Sequence, residues 1–207
     1  NSPVYQSHLA FARSRLAIYV PMADTISSYL RRFVRQQDDE GFNPVVIVGE
    51  SGGGKSSFIA DLIINGCPER RLVFFHFVGC TSESTILSDM LIKFYKDLSQ
   101  LLQPYLDKLD ILPTAEELDL NDIFLPIINV YEREVTLTNA LPSVVIVMDA
   151  LNQLVDEPYS DDETDIPSNM KWLPKSFPQK MRVVLSCIDS PTATTSSITT
   201  AIANTTN

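Results

Sequence analysis

Val45-Val46-Ile47-Val48-Gly49-Glu50-Ser51-Gly52-Gly53-Gly54-Lys55-Ser56-Ser57 is the stretch on which the reading of this chain turns. The opening apolar, β-branched run reads as a short buried strand. From Lys55 onward Phe58, Ile59, Leu62 and Ile63 recur on one helical face as far as Asn65, and Gly66 then stops the helix. Between strand and helix lie four of the chain's seven glycines, in a segment that matches GxxxxGK[ST] at Gly49, Gly54, Lys55 and Ser56. Glycine admits positive φ, so the backbone can wrap an anion with its N–H groups turned inward at the positive end of the next helix. In such a loop the lysine reaches the β- and γ-phosphates and the serine hydroxyl ligates Mg²⁺. Gly49, Glu50, Ser51, Gly52, Gly53, Gly54, Lys55, Ser56 and Ser57 are therefore the expected phosphate-binding residues. The plain alternative is a flexible glycine turn, but the pattern arises by chance in roughly one chain in a hundred of this length.

Outward from this segment, strands and helices alternate. Leu72–Val78, Val144–Met148 and Val183–Ser186 are the further expected strands. Asp24 is the expected N-cap of an amphipathic helix carrying Ile26, Leu30, Phe33 and Val34. Thr81 or Ser84 is expected to cap a long helix running to about Gln103. Residues 104–142 are helical in pattern but interrupted by four prolines, and residues 1–22 read as mixed, with Pro3 and Pro21 as breaks. Such alternation predicts an α/β fold with a mostly parallel sheet covered on both faces. We divide the chain into a lead-in segment and helix over 1–40 and a nucleotide-type domain over 41–207. Chemistry in such sheets sits at the carboxyl ends of the strands.

Asp149 ends the third strand, where a carboxylate can complete a Mg²⁺ site with the loop hydroxyl of Ser56. Ala150-Leu151-Asn152-Gln153 follows. Hydrolytic relatives of this arrangement commonly place an acid there to deprotonate water; an amide can orient water but cannot take its proton. Asn152 and Gln153 are expected to position water or sense the γ-phosphate, with helix capping as the alternative, and hydrolysis is expected to be slow. Ser186 can bond the γ-phosphate or the attacking water, or satisfy local backbone. His76 lies among aromatics and reads as a core residue, and no His/Cys set has zinc spacing. Residues 156–165 hold six acids in ten positions and read as a solvated loop, lacking the EF-hand pattern. Trp172 reads as packing at the fold's edge or against a further domain.

Composition narrows the field. The 207 residues carry a formal charge of −10, which argues against a general nucleic-acid or anionic-membrane binder. No apolar run is long enough for a membrane span. Cys67, Cys80 and Cys187 are odd in number and far apart, which suits a reducing, cytoplasmic setting. With Asn first and no element closing the last residues, the chain reads as a piece of a longer protein.

The stretches GESGGGKSSFIADLI, VFFHFVG, VVIVMDALNQL and WLPKSFPQKMRVVLS, in that order, resemble the nucleotide-binding domain of STAND-type NTPases. The likeness is to the NACHT-like domain of nephrocystin-type tetratricopeptide-repeat proteins and of telomerase-associated WD-repeat proteins. It spans roughly residues 8–190. The resemblance implies a three-layer P-loop NTPase core of the ASCE/AAA-like kind with strand order 2-3-1-4, an ATP/ADP switch with Mg²⁺ as cofactor, and Ser186 at the sensor position. It also implies adenine contacts from the stretch Ile18–Val20, taken here as Tyr19. Protein partners through regions outside this chain, and nucleotide-dependent self-association, are implied likewise. The chain departs from the family at Ala150-Leu151-Asn152-Gln153 and at Cys187-Ile188, where the family usually has Gly followed by acids and an Arg respectively; both departures point to slow turnover.

Three classes compete. The first is an ATP/ADP-binding switch module with slow Mg²⁺-dependent hydrolysis. The second is a scaffold that has lost turnover. The third, a GTPase or small-molecule kinase, is disfavoured: NKxD is absent, Asp149 does not begin DxxG, and residues 151–181 contain no Arg for a phosphate lid.

Overall fold

A computed structural model describes residues 3–20, 25–35, 44–69, 71–106, 112–137, 141–155 and 172–188. The Asp24 cap and the acidic 156–165 run lie outside the described residues. Four strands, β1 (Val45–Gly49), β2 (Leu72–Phe77), β3 (Val144–Asp149) and β4 (Met181–Ile188), pair in parallel in the order β1-β4-β3-β2. The expected α/β class with a parallel sheet is correct, but the expected order 2-3-1-4 is wrong. β4, not β1, sits between two neighbours, and the reason is burial. Every residue of β4 from Met181 to Cys187 is buried, whereas β1 is short and only partly covered, with Val48 37% exposed. The strand with the most apolar surface to hide takes the interior position, and the shorter, half-covered one takes the edge.

Period-two alternation divides the side chains of β3 between two cores. Val145 and Val147 join Val184 and Phe77 on the face covered by α1 (Pro3–Leu16), α2 (Thr25–Arg35) and α3 (Lys55–Asp61). Val144, Ile146 and Met148 join Val183 and Leu185 on the face covered by α4 (Leu87–Leu102) and α5 (Leu125–Leu137). The result is helix, sheet, helix in three layers. Trp172 lies inside the second core, 2% exposed, with its ring 6.2 Å from that of Phe124, so it packs in the interior rather than at an edge.

Residues expected to be mixed at the start form α1 instead. Pro3 occupies the helix's first turn, where its missing N–H costs nothing. The helix escapes periodicity because its apolar residues are spread around it. Only His8 and Ala12 are buried, and Phe11 packs its ring 5.0 Å from that of Phe77. α3 runs on as a π-helical turn, Leu62–Gly66, closed by the Cys67 N–H donating to Leu62 O at 2.9 Å. Arg31 and Arg35 of α2 donate to the last carbonyls of that turn, Asn65 O and Gly66 O, where the helix end is partially negative. Neither Thr81 nor Ser84 caps α4. The Ser84 hydroxyl donates to Thr81 O at 2.7 Å within the preceding turn, and α4 begins only at Leu87. β4 is longer than its apolar run because Arg182, fully buried, holds its guanidinium 5.7 Å from the centroid of Phe33 and donates to Met181 O. Among the described residues no helix is long and apolar enough to cross a membrane.

Candidate functional site

Because all four strands run the same way, their carboxyl ends emerge on one side of the sheet. Gly49 stands beside Ile188, and Phe77 beside Asp149. An open cleft of about 340 Å³ lies there. One wall is the glycine loop, Ser51 through Ser57; the other is Asp149, Ala150, Asn152, Gln153, Ser186 and Ile188. The residues singled out from sequence at 51–57, 149, 152, 153 and 186 are thus brought together. Gly49 and Glu50 do not line the cleft; each supplies a carbonyl that accepts a 2.6 Å hydrogen bond from Lys55 Nζ. Tyr19 is also outside the lining. Arg15, in the last turn of α1, and Ile18, in the turn that follows it, line the cleft instead.

Glycine is required by the loop's geometry at two points. Gly52 and Gly54 have φ of +78° and +81°, which an L side chain rarely adopts. Gly53 donates to Glu50 O at 3.2 Å, tightening the turn. Gly54 precedes α3 without offering a side-chain cap, so the first amides of the helix have no capping side chain. These N–H groups and the Lys55 ammonium form an electropositive wall suited to an anion.

The opposite wall is built around Asp149, which is 3% exposed. Ser186, with no exposed surface, donates its hydroxyl proton to Asp149 Oδ1 and accepts from the Ala150 N–H at 2.9 Å. Ala150 is left-handed, φ 59° and ψ 44°, alone among the described non-glycine residues in having positive φ. It turns the chain into a short 3₁₀ segment, Leu151–Gln153. That turn lets Asn152 Oδ1 accept the Ile188 N–H at 3.2 Å, tying β3's exit loop to β4. A Cβ on Gly79 would stand 2.4 Å from Gln153 Oε1, so the glycine that breaks β2 also leaves room for Gln153. Ile18 lies in the stretch Ile18–Val20 that the resemblance pointed to, whereas Arg15, Ala150 and Gly79 carry no motif of their own.

The donor set bears on a metal. Among the described residues no three or more His, Cys, Asp or Glu side chains gather for one. Ser56 and Asp149 share the cleft, and one hydroxyl with one carboxylate is a donor set that suits Mg²⁺, which keeps several waters and takes further oxygens from bound phosphates.

Both histidines lie away from this cleft. His8 Nδ1 accepts the Phe77 N–H at 3.1 Å, and its ring sits 4.5 Å from that of His76. His76 Nε2 bonds the Ser84 carbonyl at 2.8 Å, so this nitrogen carries the proton. Burial pulls both imidazoles below their ordinary range, His8 to about 3. Burial likewise pushes the Cys80 thiol up and that of Cys67 to about 11, which disfavours the thiolate of each. No family model matches the chain, and no curated protein matches it.

Proposed function

We propose that the chain is an ATP/ADP-binding switch module of the STAND type, built on a P-loop NTPase core, with slow Mg²⁺-dependent hydrolysis coupled to assembly or partner recruitment. The observation that carries this reading is the cleft itself: a glycine loop with Lys55 and Ser56 on one wall, and a buried strand-end carboxylate, Asp149, on the other. On this reading the amides of the loop and Lys55 hold the β- and γ-phosphates. Ser56 and Asp149 would hold Mg²⁺, which when bound neutralises charge developing on the transferred phosphate. On the same reading Arg15 and Ile18, which also line the cleft, would meet the nucleoside end of the ligand. A protein that binds ATP and ADP with different affinity in two states shifts between them by that difference alone.

Slow turnover follows from the composition of the walls. Asp149 is the only carboxylate among the described residues that line the cleft, and it is committed to Ser186 on one oxygen. Asn152 and Gln153 cannot accept a proton at neutral pH. The same observation supports a second reading, a hydrolysis-deficient nucleotide-binding scaffold. Phosphate release in a single turnover separates them, since the scaffold releases none.

The nucleotide reading itself is tested by thermal unfolding of the 207-residue chain with ATP or ADP, with and without Mg²⁺. Wild type is expected to melt higher with Mg²⁺ and nucleotide; at a hundredfold excess over the dissociation constant the gain is about 2.7 kcal/mol. Lys55→Ala is expected to abolish the gain. An equal shift in both proteins refutes the loop assignment.

A further inference from the structure

The hydrogen bonds on the Asp149 wall divide the polar side chains by what they still have to give. A serine hydroxyl has one proton. That of Ser186 is spent on Asp149 Oδ1, and its oxygen accepts from Ala150 N–H. With no exposed surface, Ser186 cannot turn a donor toward a bound anion without releasing the carboxylate. A carboxamide has an acceptor half and a donor half. The backbone N–H of Ile188 can only donate, so it fixes which half of Asn152 faces it: Oδ1 is taken, and Nδ2 remains. Nδ2 has no protein partner among the described residues, and Asn152 lines the same cleft as Lys55 and Ser56.

We infer that Asn152, held by its oxygen to the backbone of β4, is a donor-only reader of the terminal phosphate, and that it favours ATP over ADP; Ser186 is a positioning residue for Asp149 and the Ala150 turn. This rests on the nucleotide reading of the cleft. Two N–H donors suit an anion and are unsuited to activating water, which needs an acceptor. Gln153, whose amide has no partner among the described residues at either end, retains both capacities. Anchoring matters because a side chain already fixed at one end loses little freedom when the other end binds. It also joins the reader to β4, so an anion drawn toward Asn152 pulls on the end of a central strand.

The test is calorimetric titration of ATP and ADP, each with Mg²⁺, into wild type, Asn152→Asp, Asn152→Ala and Ser186→Ala. Asn152→Asp keeps an oxygen for the Ile188 N–H and replaces the donor half by a second carboxylate oxygen. It is expected to weaken ATP by about 10- to 100-fold, the span of a hydrogen bond to a charged group, while ADP changes less than about threefold. Asn152→Ala removes the donor without adding charge and is expected to move the ATP-to-ADP ratio the same way. Ser186→Ala, which frees Asp149 Oδ1 and the Ala150 N–H, is expected to weaken both nucleotides together, so that their ratio stays within about threefold of wild type, because it withdraws no donor from the terminal phosphate. Equal weakening of both nucleotides by the Asn152 variants, or no weakening, overturns the inference while leaving nucleotide binding intact. A collapse of the ratio in Ser186→Ala alone assigns the reading to Ser186 and overturns it too. Wild type that binds neither nucleotide brings down the nucleotide reading and this inference with it.

Discussion

Acidification should destabilise the seat of α1, and the size of the effect follows from one side chain. His8 is 2% exposed and holds its Nδ1 lone pair toward the Phe77 N–H. Protonating that nitrogen would break the bond and place a charge in the core beside the His76 ring. Burial therefore lowers its pKa from 6.5 to about 3. An unfolded chain binds a proton at His8 below pH 6.5, while the folded chain binds none until about pH 3. Stability is fully present above 6.5 and falls as pH drops through that window, by about 1.4 kcal/mol per unit. Between pH 7.5 and 5.0 the loss from His8 is about 2 kcal/mol, or roughly 4–8 °C in melting temperature for a chain of this size. His76, also lowered by burial, adds in the same direction. The carboxylates titrate as well, so the measurement is a difference. Wild type and His8→Asn are melted by circular dichroism from pH 8.0 to 5.0; the asparagine oxygen can accept the Phe77 N–H and does not titrate. The wild-type melting temperature should fall more steeply than that of the variant. Parallel curves, within about 1 °C across the range, would refute the reasoning. Because α1 and the turn after it bring Arg15 and Ile18 to the cleft, nucleotide-dependent stabilisation should weaken over the same pH range.

The left-handed Ala150 should be relieved by glycine. Ala150→Gly is expected to stabilise the chain by about 0.5–1 kcal/mol in urea unfolding, with the m-value unchanged. Gly54→Ala, at φ +81° where the loop meets α3, should cost about 1–2 kcal/mol and weaken nucleotide-dependent stabilisation as well. Lys55→Ala should lose that stabilisation with little change in the melting temperature of the protein alone, since among the described residues Nζ bonds only Gly49 O and Glu50 O on the loop.

Much of the candidate site is legible in the sequence. Chemistry at the carboxyl end of a parallel strand is encoded locally: an apolar run followed by glycines and Lys55, or ended by Asp149, reads the same in one dimension as in three. The interior runs of β1, β2 and β3 were legible for the same reason. The expected strand Val183–Ser186 is shorter than β4, which begins at Met181 and takes in the charged Arg182; nothing local to the sequence says that Phe33 and the Met181 carbonyl accommodate it. α1 leaves no periodic signal because its apolar residues do not form a stripe; the helix is held by packing on α3 and β2, which has no period in the sequence.

From the sequence alone came the parallel α/β class, the conformational demand for glycine in the loop, and the meeting of Lys55, Ser56 and Asp149 at one end of the sheet. These follow from steric and periodic rules that act over a few residues. Only the tertiary structure decided that β4 lies between β1 and β3, that within the stretch Ile18–Val20 it is Ile18 and not Tyr19 that lines the cleft, joined there by Arg15, and that Ser186 and Asn152 have already spent their donor and acceptor respectively. Strand order depends on which strand has most surface to bury, and hydrogen-bond commitments depend on which atoms the fold brings within 3 Å or so of one another; neither is a property of any short stretch of chain.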